Sequence, residues 1–152
     1  MNYDAGEAAI STLIQALSGY SSANVKRGDW SALNSGKSEN NVVIVQHLPS
    51  VGAMNTMGGG KQYDHKTRVE LYRLLKQNTY GSTYTDHMAA VETVVNQLEK
   101  YRHLNDSTIC TDADIIEISE PKRKWLNDNG PHFIATDIIV AWTEWIDITY
   151  SD

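Results

Sequence analysis

HFIATDIIVAWTEWIDITY, residues His132 to Tyr150, decides the fold. It holds two of the chain's four tryptophans, five isoleucines and a valine, with neither Gly nor Pro. That enrichment suits a pleated, half-buried surface, so the stretch reads as one long strand. Alternate positions divide it into a face of Ile134, Thr136, Ile138, Val140, Trp142, Glu144, Ile146, Ile148 and Tyr150 and a face of Phe133, Ala135, Asp137, Ile139, Ala141, Thr143, Trp145, Asp147 and Thr149. The first is mostly core and the second is mixed. At about 3.3 Å per residue the strand would run roughly 60 Å, longer than a small domain is wide. It is therefore expected to bulge, bend or leave its own domain.

Upstream, the turn sequence Asn127-Asp128-Asn129-Gly130-Pro131 makes the last forty residues an antiparallel hairpin, with Thr108 to Ser119 as the preceding strand. Between them lies the basic run Lys122-Arg123-Lys124 beside Trp125. The clearest helix covers Thr83 to His103, where Tyr84, Met88, Val91, Val95 and Leu98 form one stripe. Ile10, Leu13, Ile14 and Leu17 mark a first helix, with Asp4 at its start and Gly19 at its stop. Val42 to Leu48 reads as a buried strand closed by Pro49, and Thr67 to Lys76 as a second strand in preference to a helix. Polar, Gly- and Ser-rich composition predicts long loops near residues 20–41, around Trp30, and 50–65, containing Gly58-Gly59-Gly60-Lys61. The order is helix, two strands, helix, two strands. It implies one α+β domain spanning residues 1–152, with an antiparallel or mixed sheet of about four strands and both helices on one face.

With 19 acidic against 13 basic residues the net charge is -6, which argues against a protein that grips nucleic acid through its phosphates. DNA sliding past such a surface remains compatible with it. The single cysteine, Cys110, has no internal disulfide partner and fits a reducing compartment. No signal peptide is expected in MNYDAGEAAISTLIQALSG, and no apolar run reaches the length of a membrane span. The expected place of synthesis is the cytoplasm.

Chemical motifs are sparse. Gly36-Lys37-Ser38 resembles the end of a phosphate loop but has Ser31 where the loop needs its first glycine, and a strand follows instead of a helix. The five histidines show no metal-ligand spacing. Asp112 and Asp114 share a strand face, and with His132 across the hairpin they define an alternative reading as a small metal-dependent hydrolase. The simpler reading is a solvated strand end. No cofactor, metal site or catalytic residue is expected. Trp142 and Trp145 fall on opposite strand faces, so both cannot enter one single-sided core, and aromatic residues concentrate at interfaces. The candidate partner-contacting residues are therefore Trp145, Trp142, Ile139, Trp125, Lys122, Arg123, Lys124, Trp30 and Lys61.

The order AAISTLIQAL, NVVIVQHLP, TRVELYRLL, MAAVETVVNQLEKY and the ending ATDIIVAWTEWIDITYSD resembles the tail terminator, or minor tail, proteins of long-tailed bacteriophages of the lambda-like type. The likeness lies in the order of elements over most of the chain; the GGGK-containing insert is longer than the family's loops, and there are no invariant catalytic residues to carry over. The resemblance implies a non-enzymatic virion protein at the head-proximal end of the tail. It would form a hexameric ring on the tail tube protein, stop tube polymerisation and dock the head-side connector or neck protein, with DNA only passing through its channel and no membrane involved. A related connector or head-completion protein shares the same small α+β pattern.

Overall fold

The computed structural model describes residues 3–28, 41–49, 53–55, 60–75, 80–105, 110–125 and 132–147. Among them the order is α1 (Tyr3–Gln15), β1 (Val25–Arg27), β2 (Asn41–Leu48), β3 (Ala53–Asn55), β4 (Gly60–Leu74), α2 (Tyr80–Lys100), β5 (Asp112–Ile118), β6 (Lys122–Trp125) and β7 (His132–Asp147). The fold is α+β with a mixed sheet, as expected, but the sheet has seven described strands instead of about four. Its order is β1-β2-β4-β7-β5, with β3 added to β4 and β6 to β7. Among the described strands only β1 and β2 pair in parallel.

The expected fate of the long strand is corrected by its partner. β7 pairs antiparallel with β4 from Gly60↔Asp147 to Leu74↔Phe133, so a second strand of almost equal length lies along it within the same chain. The irregularity sits in the neighbouring β5, between Ile115 and Glu117. Length alone therefore demands no second molecule. The expected loop at 50–65 is also corrected, since residues 53–55 form β3 and β4 begins at Gly60. Polar residues at 61–66 alternate between faces of a strand that has neighbours on both sides. Likewise β1 interrupts the expected loop at 20–41.

Register divides the sheet into two faces. On one, Val43, Val45, Val69, Leu71, Ile138, Val140 and Trp142 pack with Ile10, Leu13 and Ile14 of α1 and Val91, Val94 and Leu98 of α2. This is the main core, and both helices lie on it as their apolar stripes require. Every described residue from Ile134 to Glu144 on the first face of β7 is buried. The reverse face holds a smaller cluster of Val42, Ile44, Tyr72, Phe133 and Ala135, with Tyr72 and Phe133 edge-on at 6.0 Å. β2 is thus buried on both faces, which explains its unbroken VVIV run.

Helix ends follow local chemistry. Asp4 lies in the first turn of α1 and pairs with Arg27, as does Glu7 at 3.2 Å, tying the helix to β1. The other carboxylate oxygen of Glu7 accepts the backbone N–H of His47 at 2.6 Å, tying it to β2. Gly19 has φ +88°, the left-handed conformation in which glycine avoids a side-chain penalty. After α2, Leu104 and Asn105 are left-handed at φ 50° and 57°, and Leu104 turns back into the core. At Gly6, close packing leaves no room for a side chain: a β-carbon there would lie 2.7 Å from Cη2 and 2.9 Å from Cε2 of Trp142, and nearer still to Cζ2.

Candidate assembly surface

Trp142 is corrected first, because it is 1% exposed and belongs to the core. Its ring lies beneath Gly6 of α1, its Nε1 donates to Thr67 Oγ1 at 3.0 Å, and its centroid is 4.2 Å from that of His65. Trp145 is on the reverse face and 42% exposed. A β-carbon on Gly60 would fall 2.5 Å from its Cε2 and 2.8 Å from its Cη2, so the indole lies flat against a strand position that must lack a side chain. This cross-strand cover of a glycine by an aromatic ring fixes the ring while leaving its outer surface to solvent.

The other candidates are scattered over the same sheet. Ile139 and Lys61 are half-buried, Lys122 and Arg123 are exposed, and Lys124 is half-buried. Trp125 pairs by backbone with His132 at the end of β6. Trp30, the Gly36-Lys37-Ser38 stretch and the turn at 126–131 lie outside the described residues. The structure therefore brings Trp145, Lys61 and Ile139 onto the β4–β7 ladder and the three basic residues onto β6, and it does not join them in one patch.

Two buried polar clusters escape sequence reading. On the reverse face Glu70 stands opposite Asp137 on neighbouring strands, although both carry negative charge. Glu70 is 4% exposed. It accepts from Arg68 Nε at 3.0 Å and from the Tyr72 hydroxyl, and Lys124 Nζ lies 3.9 Å away. Lys124 Nζ is also 5.6 Å from the Tyr72 ring centre, and Arg68 donates its other arm to Gln46 Oε1 at 2.6 Å. Burial, then the hydrogen bond to Glu70, pushes the Tyr72 phenol well above its ordinary range. Burial also raises the Asp137 carboxyl, with Glu70 adding to the shift against the opposing pull of Lys124, Arg68 and Lys122. Asp137 Oδ1 is buried without a hydrogen-bond partner among the described residues. Both Glu70 oxygens are engaged, and the cluster links β4 to Gln46 of β2 and Lys124 of β6.

On the helix-bearing face His65 Nε2 lies 3.1 Å from Glu144 Oε1, both side chains buried, with Tyr63 stacked at 6.3 Å and His47 edge-on at 5.3 Å. Burial lowers the His47 pKa, and His65 lowers it further against the opposing charge of Glu7. A carboxylate and an imidazole at this distance have the geometry of an acid–base pair; both are 1% exposed, and the Trp142 ring lies 4.2 Å from that of His65. Alternation places His65 and Glu144 each on one face of its strand, but only the β4–β7 register brings them together.

Register keeps apart the three residues expected for a hydrolase site. Asp112 is opposite Thr143 and Asp114 opposite Ala141, whereas His132 is opposite Trp125 at the other end of β7. Nine to eleven residues of strand, roughly 30 Å or more, separate them. A cleft of about 240 Å³ does bring Asp64, Asp112 and Asp114 together with Lys66 and Thr143, and Arg102 Nε lies 3.3 Å from Asp112. Among the described residues no group of three or more His, Cys, Asp or Glu side chains is placed to hold a metal ion. Cys110 is 1% exposed, and burial pushes its thiol up to about 11, so it is a core residue and a poor nucleophile. Compared with protein-family models and with curated proteins, the chain gives no match.

Proposed function

We propose that this chain is a non-enzymatic bacteriophage tail protein of the tail-terminator type. It forms a ring on the tail tube, ends tube polymerisation and presents a docking surface to the head-side connector. The observation that supports this reading is the β4–β7 ladder with its exposed Trp145. Both helices lie on one face of the sheet, and the first turns of α1 meet β7 at Trp142. The ladder continues past that contact to Gly60 and Asp147, widened by β3, and carries a large indole outward on the reverse face. A rigid strand arm with a fixed aromatic is suited to anchoring a neighbouring molecule. The net charge of -6 suits a channel that DNA passes without adhering.

Electron microscopy of the purified chain mixed with tail tubes tests the reading. Rings at one tube end with arrested tube length are expected; binding along the tube, at the tip or on a portal would overturn it. In the same assay Trp145→Ala abolishes capping while the isolated chain keeps its fold. A melting temperature that collapses in Trp145→Ala would instead make the indole a folding element.

A further inference from the structure

We propose that the outer edge formed by β5 and β6 is an interface with a second copy of this chain, the two edges lying antiparallel about a two-fold axis near Ile118. β5 and β6 lie end to end along the same side of β7, against Thr143 to Ile138 and Ala135 to His132. Among the described residues no strand pairs with their outer side. Unpaired edges of this length template pairing with another chain unless they are blocked.

Three features fit that edge to a copy of itself. The first is apolar exposure at its middle. Ile116 is 52% and Ile118 48% exposed, and the adjoining flank of α2 adds Tyr84 at 40% and Met88 at 36%. Gln97 of α2 donates to Leu13 of α1, and at about 100° per residue Tyr84 and Met88 fall on the opposite flank, turned toward β5. Four of the five large hydrophobic side chains exposed among the described residues therefore belong to β5 and to the flank of α2 away from α1.

The second feature is charge order. The edge is acidic before, between and just after the isoleucines, with exposed Asp112, Asp114, Glu117 and Glu120; it then becomes basic at Lys122, Arg123 and the half-buried Lys124. A two-fold near Ile118 sets Asp114 against Lys122 and Asp112 against Lys124, and symmetry supplies each pair twice. Parallel or in-register pairing would set acid against acid.

The third feature is facial agreement. Asp112 and Asp114 share the reverse face with Thr143 and Ala141, and Lys122 and Lys124 share it with Ala135 and Phe133. Antiparallel neighbours project their side chains on one common face, so the opposed charges can meet across the junction. The apolar α2 flanks meet on the other face. On the helix-bearing face the centre is therefore apolar, whereas on the reverse face Glu117 lies one residue from the axis and the opposed Asp–Lys pairs flank it on both sides. The irregularity at Ile115/Glu117 and the missing N–H of Pro121 shorten the backbone ladder available, so side chains set the pairing.

This proposal does not depend on the tail-terminator reading: pairing of the free chain and capping of tubes are separate measurements. Sedimentation of the purified chain is expected to give twice its 17.0 kDa mass. Asp114→Lys and Lys122→Glu each weaken the pair on the order of tenfold or more, because symmetry repeats each reversed contact. Mixing the two variants restores a one-to-one pair, since each then supplies the charge that the other lacks. Separately, mild oxidation of Ile118→Cys yields a covalent dimer that the wild-type chain, with only buried Cys110, does not form. A wild-type mass of 17.0 kDa throughout, an oligomer that neither reversal disturbs, or folded variants that stay apart on mixing would overturn the proposal. So would an Ile118→Cys chain that fails to cross-link.

Discussion

Gly6 offers a test of the packing between α1 and the sheet, because two simple effects predict opposite signs. Within a helix alanine is favoured over glycine by about 0.8–1 kcal/mol, so at an open position Gly6→Ala would stabilise the chain. Here the added carbon meets the indole of Trp142 at 2.7 and 2.9 Å with a third atom nearer. Carbon atoms prefer about 3.5–4.0 Å, so the helix and the ring must part by about 1 Å. The ring has little freedom to retreat, since Nε1 is bonded to Thr67 Oγ1 at 3.0 Å and His65 lies 4.2 Å away. Moving α1 instead strains the Glu7 bond to the His47 backbone. Overpacking of this kind costs about 1–3 kcal/mol, which offsets the helical gain and leaves a net loss of up to about 2 kcal/mol. For a chain of this size that lowers the melting temperature by up to about 8 °C. Urea unfolding followed by tryptophan fluorescence and circular dichroism measures it, and Trp142→Phe supplies the control. The smaller ring should relieve much of the penalty, giving a favourable coupling in the double variant. A Gly6→Ala chain about 1 kcal/mol more stable than wild type would refute the reasoning.

Other outcomes follow from the buried titratable groups. His87 is 1% exposed, bonded through Nε2 to Thr136 Oγ1 at 2.7 Å, and burial followed by the charge of Arg73 lowers its pKa to about 4. Its folded value is below the unfolded one, so its contribution is complete above about pH 6.5 and is lost as pH falls toward 4. His87→Gln should flatten the stability curve across that window, as read by melting temperature against pH. Asp137 has the opposite sign, because its folded pKa is raised: ionisation opposes folding above that value, and acidification through it relieves the penalty. Asp137→Asn should stabilise the chain at pH 7, by on the order of 1 kcal/mol in urea titrations, since it removes a desolvated charge facing Glu70. No gain, or a loss, would show that Lys124, Lys122 and Arg68 already offset that charge.

The sequence and the fold agree best where one periodicity dominates. The stripe of α2 and the alternation of β7 are clear, since α2 has a single core to face and most of the buried residues of β7 face the same one. Three-residue strands such as β1 and β3 are too short for any period to register. β4 is instructive: its C-terminal half reads as a strand, but Gly60 to Lys66 looks like loop because its neighbours alone make it strand. β6 reads as a basic run for the same reason, and only its pairing with β7 reveals it. Of the candidate surface, Trp145 was legible from alternation with Trp142, but which indole faced outward depended on where the helices settled. The Glu70–Asp137 opposition was not legible, since register between distant strands is invisible in one sequence.

The β4–β7 ladder also governs how the chain must fold. Every β7 residue in the ladder meets a β4 partner about sixty to ninety positions earlier, with α2, β5 and β6 in between. Helices and the β2–β4 pair can form from nearer contacts, but the middle of the sheet closes only across that long interval. Its closure entropy must be met before the fifteen-residue zipper begins to return it. Refolding should therefore belong to the slow, millisecond-to-second class, with β4 and its valine- and leucine-rich side awaiting a mate in the meantime. A chain of this design makes β4 well before the strand that covers its second side.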